Sequence, residues 1–207
     1  MRLRVPPLLP TLLLVLFACA TGPAVAGPIE DGLAAYRSED YETALRLLRP
    51  LAEKGDAAAQ WGLGAMYANG LGVPFDGEAG VAWLRKSAGQ SFADAEFSLG
   101  LLYENGFGVP QSNQEAAGWY RKAADQGHPA AQYNIGVMYE HGQGVVRDLV
   151  QAHLWLSLAI ARLDPVGDAL MRNTAVEDLN RLTPKLTPSQ LAEAQRLAGE
   201  WKPKSSR

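Results

Sequence analysis

The chain has 207 residues, of which 47% are apolar and 20% charged, with a formal net charge of -3 and one cysteine. This composition is typical of a globular protein, and the acidic balance argues against the basic surface that nucleic-acid binding requires. One cysteine and three dispersed histidines exclude an internal disulfide and a Cys/His zinc cluster.

The first 26 residues have the layout of a secretory signal peptide. Arg2 and Arg4 precede an apolar stretch at 8–18, which is too short to span a bilayer. Small residues follow, so we expect cleavage after Ala26 and a periplasmic or secreted protein.

An alternative for this segment is a lipid anchor. The sequence from Leu16 to Cys19 resembles a bacterial lipobox, in which the cysteine becomes the lipidated first residue. Phe17 is bulkier than such a site usually accepts. Both outcomes leave the exported body without thiol chemistry.

A period of 36 residues organises the chain from 57 to 162. Six columns of identical residues recur at this spacing: glycines at 64, 100, 136, at 70, 106, 142 and at 72, 108, 144, valines at 73, 109, 145, tyrosines at 67, 103, 139 and tryptophans at 83, 119, 155. Such periods are typical of stacked units that cannot bury their apolar faces alone. We predict three units, at 57–92, 93–128 and 129–162.

Each unit is predicted to contain two helices, called helix A and helix B. Apolar residues at helical spacing define helix A. Glycines that favour a left-handed C-cap follow it at Gly70, Gly106 and Gly142. The side chains expected to cap the start of helix B are Asp76, Ser112 and Asp148. Complete capping boxes are expected for Ser112 with Glu115 and for Asp148 with Gln151.

The string from Ala131 to Tyr139, followed by Gly-Gln-Gly-Val at 142–145 and a helix containing tryptophan, resembles the Sel1-like repeat, a longer-looped relative of the tetratricopeptide repeat. This resemblance implies an all-α fold, a right-handed α-solenoid of helical hairpins with a C-terminal helical cap. We assign 27–56 to a tetratricopeptide-like helical pair and 163–207 to the capping helices and tail.

The two cap helices are predicted over 164–180 and 187–201. The second has Thr187 as N-cap, Pro188 at its first position and Gln190 to complete a capping box. The basic tail after Trp201 is expected to be frayed.

No pattern indicates catalysis, a cofactor or a metal. The glycine pairs lack the preceding strand and following Lys-Ser/Thr of a phosphate-binding loop, and no serine lies in a nucleophile-elbow context. The tyrosine and tryptophan columns are expected in the core. His128, His141 and His153 are expected to be solvated or to cap helices.

The face of helix A opposite its buried stripe is predicted to line the concave surface of the solenoid. In the first unit it includes Gly62 and Ala65. The candidate partner-binding residues on it are Asn69, Ser98, Leu101, Asn105, Asn134, Val137 and His141. For Asn69, Asn105 and His141 the alternative is a local role beside the glycine cap.

An aromatic column is predicted at the edge of this surface, formed by Trp61, Phe97 and Tyr133. Two roles stay open for it. The rings either pack against the preceding repeat or form a rim that also contacts a ligand.

An extended concave surface with uncharged polar and apolar side chains favours docking of a peptide or protein segment. The resemblance implies an adaptor, so our leading hypothesis is an exported, non-catalytic protein-interaction module with an unidentified protein partner. The alternatives are an outer-membrane lipoprotein scaffold for envelope assembly, anchored through Cys19, and an enzyme acting on β-lactams or cell-wall fragments. The resemblance implies the enzyme because some cysteine-rich members of the wider family are linked to β-lactam binding or hydrolysis. The paired cysteines of those members are missing from this sequence.

Overall fold

The computed structural model describes residues 27–204, and in this part of the chain all regular structure is helical. The helices are α1 (Pro28–Arg37), α2 (Tyr41–Glu53), α3 (Ala57–Asn69), α4 (Gly77–Ala88), α5 (Ala93–Asn105), α6 (Asn113–Asp125), α7 (Pro129–His141), α8 (Leu149–Arg162), α9 (Ala169–Leu182) and α10 (Pro188–Glu200). The first eight pair as four consecutive hairpins, each packed on the next. The predicted all-α solenoid is confirmed. The predicted signal peptide lies outside the described residues.

The three predicted A helices are α3, α5 and α7, and the B helices are α4, α6 and α8. Each A helix ends at a glycine in the left-handed conformation, with φ of 66°, 72° and 70° at Gly70, Gly106 and Gly142. The predicted caps of the B helices are also confirmed. Side-chain oxygens of Asp76, Ser112 and Asp148 accept hydrogen bonds from first-turn amides.

The two predicted capping boxes form only in part. Ser112 Oγ accepts from the amide of Glu115, and Asp148 Oδ1 accepts from that of Gln151, but the reciprocal bonds are missing. Gln151 Oε1 instead accepts a hydrogen bond of 3.2 Å from Trp155 Nε1. The predicted box at Thr187 and Gln190 is complete.

The hairpins stack through the second glycine of each A–B loop. Each of these glycines lies against the first residue of the preceding hairpin's second helix: Gly72 on Tyr41, Gly108 on Gly77, and Gly144 on Asn113. A Cβ atom at Gly108 would overlap the Gly77 backbone, and its φ of 70° disfavours residues with a side chain. Glycine is therefore required for both space and conformation.

A polar ladder also joins successive hairpins. An arginine near the end of one hairpin's second helix donates to the tyrosine hydroxyl of the next A helix: Arg49 to Tyr67 at 3.3 Å, Arg85 to Tyr103 at 2.6 Å, and Arg121 to Tyr139 at 3.2 Å. The tyrosine column therefore packs between hairpins while its hydroxyls are satisfied.

The tryptophan column was predicted to lie in the core, and this is right only for Trp155, which is 1% exposed. Trp83 and Trp119 are half-buried. Lysine ammonium groups one turn later lie 3.9 Å from their ring centroids, from Lys86 and Lys122 respectively. The outer faces of these two rings are covered by cations rather than by apolar residues.

The first cap helix begins later than predicted. Asp164, its expected start, lies in a turn where its carboxylate accepts from the amides of Val166 and Gly167, and α9 starts only at Ala169. Local side-chain bonding to the backbone competes with helix formation here. The helix then takes the position of a fourth A helix, packed on α8 and α7.

The last helix leaves the repeat pattern and packs across α8. This contact is possible because α8 has buried Leu154 and Leu158 where α6 has exposed Gly118 and Lys122. The ring of Trp201, just after α10, contacts Trp155 edge-on at a centroid distance of 6.3 Å. The apolar residues on both faces of α8 thus explain why α10 packs on this helix.

The tail after Trp201 was predicted to be frayed, but its described residues, 202–204, are held in place. Lys204 donates through its backbone amide to the carbonyl of Asp125 at 2.8 Å and through Nζ to the Asp125 carboxylate at 2.7 Å. Arg162 stacks over the Trp201 ring at 4.4 Å. The end of the described chain is therefore fixed at the turn between α6 and α7.

Replacing Gly108 by alanine should lower the free energy of unfolding by about 2 kcal/mol or more, because the left-handed conformation and the contact with Gly77 both exclude a Cβ. Gly118→Ala is the matched control, since its Cβ would meet nothing within 4 Å. It should raise stability by about 0.5–1 kcal/mol, because Gly118 lies inside a helix. Urea unfolding followed by circular dichroism measures both. Equal effects would contradict the stacking role.

Trp201→Ala should lower the free energy of unfolding by about 2 kcal/mol, because it removes the ring that packs on Trp155 and Arg162. Lys202→Ala, at an exposed neighbour, should have no measurable effect. Thermal unfolding by calorimetry compares the two variants. A Trp201→Ala protein as stable as the Lys202→Ala control would show that the tail does not hold α10 in place.

Candidate partner-binding groove

The predicted concave face has its open part on α5 and α7. Ser98 and Leu101 on α5 and Asn134 and Val137 on α7 are half-buried, while Asn105 and His141 at the helix ends are exposed. These six residues lie at matching positions 36 residues apart and define the surface called the groove below. Their partial exposure contrasts with the fully buried residues on the opposite side of both helices.

The first unit contributes less to this surface than predicted. Gly62 and Ala65 are buried, and a Cβ atom at Gly62 would lie 2.8 Å from Leu48 and 3.5 Å from Leu33. Side chains of the first hairpin therefore fill the space in front of α3. Of the predicted residues in this unit, Asn69 remains exposed.

Three of the predicted groove residues have part of their hydrogen-bonding capacity satisfied within the chain. Ser98 donates to the Asp94 carbonyl at 2.7 Å and accepts from Trp61 Nε1 at 3.1 Å. The amide nitrogens of Asn69 and Asn105 each donate to the carbonyl one turn back in their own helices, at 2.8 Å. The asparagine amides are therefore held in fixed orientations beside the glycine caps.

The aromatic column lies between successive A helices. Trp61 packs against the preceding repeat as predicted, since it contacts Tyr36 before it as well as Phe92 after it, both at 6.0 Å. Phe97 instead stacks on His128 at the start of α7, at a centroid distance of 4.5 Å. Tyr133 donates to Asp178 of α9 at 3.0 Å. These rings fill the joints between the A helices.

A buried hydroxyl lies beside one groove residue, a contact that sequence reasoning did not predict. Tyr120 of α6 packs against Gly100, where a Cβ would collide with its ring, and its hydroxyl donates to Glu104 Oε2 at 2.6 Å. Burial raises the pKa of Tyr120, and the neighbouring Asn134 side chain acts in the opposite direction. The Tyr120–Glu104 pair therefore lies next to Asn134 at the junction of α5 and α7.

The signal for this arrangement was a departure from the repeat. The residues equivalent to Tyr120 in the other units are leucines, at 84 and 156. The residues equivalent to Glu104 are Ala68 and Glu140, so the tyrosine alone is specific to the second unit. A hydroxyl in a column of leucines indicates a local polar partner. The contact between these two side chains, which lie on different helices, could not be predicted because residue spacing alone gives no distance between helices.

Charge is distributed unequally between the two helix types. The A helices α3, α5 and α7 contain no lysine or arginine, whereas α4, α6 and α8 each contain at least one. Asp94 and Glu104 lie on α5, and Asp94 pairs with His128 Nε2 at 3.2 Å. Buried Glu140 is paired with Arg181 and Lys185 of the cap at 3.2 and 2.9 Å. The A helices around the groove therefore carry acidic groups and no lysine or arginine.

The three histidines lie apart. His128 Nδ1 accepts from the amide of Ala131 and caps α7, and His141 is exposed, as predicted. His153 is 6% exposed, contrary to prediction, and burial lowers its pKa. Among residues 27–204 no cluster of three or more His, Cys, Asp or Glu could hold a metal ion. None of the helices described is long and apolar enough to cross a membrane.

Comparison with known proteins places this geometry in a family. The Sel1 repeat model matches residues 27–56, 57–92, 93–128 and 129–162, including the hairpin that was expected to be tetratricopeptide-like. The structure of a protective antigen from uropathogenic Escherichia coli, which displays an SLR fold, is similar, with a TM-score of 0.70 and 35% identity. That match covers 82% of this chain but only 37% of the antigen.

A Sel1 repeat protein from Oxalobacter formigenes has a TM-score of 0.55 and 40% identity, over 57% of this chain and 90% of that one. No curated protein matches by sequence. Because the repeat model covers a continuous stretch of more than half of the sequence, the resemblance predicted from the repeats is confirmed, and the chain belongs to the Sel1 repeat family.

Proposed function

We propose that the chain is an exported, non-catalytic adaptor that holds a segment of a protein partner in the groove. Sel1 repeat proteins are generally protein-interaction scaffolds, and their solenoid is typically a non-catalytic module. The observation that carries the proposal is the half-exposed face that α5 and α7 share, where neighbouring hairpins leave apolar and amide side chains uncovered.

The groove combines apolar contact with fixed polar groups. Leu101 and Val137 supply partly exposed apolar surface at equivalent positions of adjacent helices. Because the Asn105 amide nitrogen donates to its own helix, its Oδ1 atom is left to accept a hydrogen bond from a ligand. Peptide segments offer both apolar side chains and backbone N–H donors.

The charge of the wall favours one class of partner segment. With Asp94 and Glu104 on α5 and no lysine or arginine on the A helices, an acidic segment would be repelled. An uncharged or basic segment meets no such repulsion. We therefore propose that the bound segment is uncharged or basic.

The paired change Leu101→Glu and Asn105→Arg should abolish partner capture, because it fills the centre of the groove with bulky charged side chains. The experiment is affinity capture from an envelope extract with the chain from Gly27 onward, followed by titration calorimetry with the captured protein. Affinity should fall at least about tenfold, which corresponds to about 1.4 kcal/mol.

The matched control is Ala192→Glu with Gln195→Arg, which places the same charges on exposed positions of α10. It should bind like the unchanged chain, and circular dichroism should show equal helix content for all three proteins. Undiminished binding by the groove variant, or equal losses in both variants, would contradict groove binding.

Export is proposed from the residues before Gly27, which carry the signal-like pattern. Mass spectrometry of the protein isolated from its native cells should find Gly27 as the first residue. An acylated Cys19 as the first residue would instead identify the protein as lipid-anchored. An uncleaved chain beginning at Met1 would contradict export.

A further inference from the structure

One buried position in the first turns of the A helices carries two amides and one acid. The equivalent residues, 36 apart, are Gln60, Glu96 and Gln132, with exposures of 5%, 5% and 0%. A buried ionisable group is rare unless it is paired, and no lysine or arginine forms an ion pair with Glu96 among the described residues. The two glutamines show what the position requires.

Both glutamines use their amide nitrogen in the same way. Gln60 Nε2 donates to the carbonyl of Ala52 at 3.1 Å, and Gln132 Nε2 donates to the carbonyl of Ala124 at 3.1 Å. Each bond joins an A helix to the second helix of the preceding hairpin. A donor at this position therefore secures two of the joints between hairpins.

The oxygen side of the position is repeated in the first two units, whereas Gln132 Oε1 has no hydrogen-bond partner among the described residues. Gln60 Oε1 accepts from Gln90 Nε2 at 2.9 Å, and Glu96 Oε2 accepts from Gln126 Nε2 at 2.7 Å, one period later. By the repeat, the other oxygen of Glu96 corresponds to the Gln60 amide nitrogen, which donates to the Ala52 carbonyl. The equivalent carbonyl, 36 residues after Ala52, is that of Ala88.

In the other two repeats an amide nitrogen donates at this position, and a carboxyl oxygen can donate there only when it carries a proton. We propose that Glu96 keeps its proton in the folded chain and donates it to the Ala88 carbonyl, which makes the α4–α5 joint a pH-sensitive latch. The joints built on Gln60 and Gln132 have no titratable group at this position and lack this sensitivity.

The surroundings of Glu96 support the protonated form. Burial raises the pKa of Glu96, and the Asp125 carboxylate acts in the same direction, while Gln126, Lys122 and His128 oppose it. The opposing charges are themselves engaged elsewhere: Lys122 lies over Trp119, and His128 pairs with Asp94. Asp125 is paired with Arg121 and Lys204.

The sign of the pH effect follows from this pKa. A glutamate in an unfolded chain has a pKa of about 4.3. The stabilisation from a protonated Glu96 is therefore fully present below that pH. It is lost as the pH rises through the higher pKa of the folded chain. Since α5 carries Leu101 and Asn105, ionisation of Glu96 weakens the joint that holds one wall of the groove.

The test measures the site directly in the full chain and then by substitution. Carbon-13 NMR of the glutamate carboxyls should show Glu96 titrating at higher pH in the folded chain than in the chain unfolded by urea. Glu96→Gln installs the residue of the other two repeats. In this variant the urea midpoint should fall less, as the pH rises, than it does in the unchanged chain. Glu177→Gln is the matched control and should keep the pH dependence of the unchanged chain.

Two results would overturn the latch. One is a Glu96 carboxyl that titrates at the same pH in the folded chain as in the unfolded chain. The other is a folded Glu96→Gln protein whose urea midpoint depends on pH as that of the unchanged chain does. Because the NMR measurement uses the unaltered sequence, the proposal stays testable even if the variant does not fold.

Discussion

The close approach of each loop to the hairpin before it is the contact on which the rest of the structure depends. Gly108 over Gly77 and Gly144 over Asn113 bring backbone against backbone, with no space for a side chain. This contact sets how far one hairpin is displaced from the next. Aromatic rings, the arginine–tyrosine ladder and the buried amide position then fill the joint at that spacing. A regular stack of A helices, and hence a continuous wall, follows from it.

The same stacking logic explains where the repeat ends. An open solenoid exposes the apolar face of its last hairpin, and terminal units need a different outer surface. Here α9 takes the position of a further A helix, fixed by Glu140 to Arg181 and Lys185. No partner helix pairs with α9 in a further hairpin, because α10 packs across α8 instead.

The helical hairpins could be predicted from the sequence because the residues that define each repeat act locally. Left-handed glycines, side-chain caps and helical spacing each act within a few residues, and their recurrence identified the hairpins and the exposed face of helix A. The turn at Asp164 was missed because its carboxylate bonds to nearby amides in place of a helix. The tyrosine at 120, in a column of leucines, was the overlooked signal for the pair of Glu104 and Tyr120.

Contacts between distant segments could not be predicted in this way. The docking of Lys204 on Asp125 joins residues 79 apart, and the filling of the first unit by Leu48 depends on how two hairpins meet. Both are decided by three-dimensional packing, for which periodicity gives no distance. The exposed part of the predicted face is therefore shorter than the sequence indicated, and it lies on α5 and α7.

The central claim is that the wall of A helices is the surface that binds a partner. Hydrogen–deuterium exchange of the chain, with and without its captured partner, tests it most directly. The account predicts slower exchange at 93–105 and 129–141 in the complex, with α4 and α6 unchanged. Protection confined to α4, α6 or α10 would contradict it.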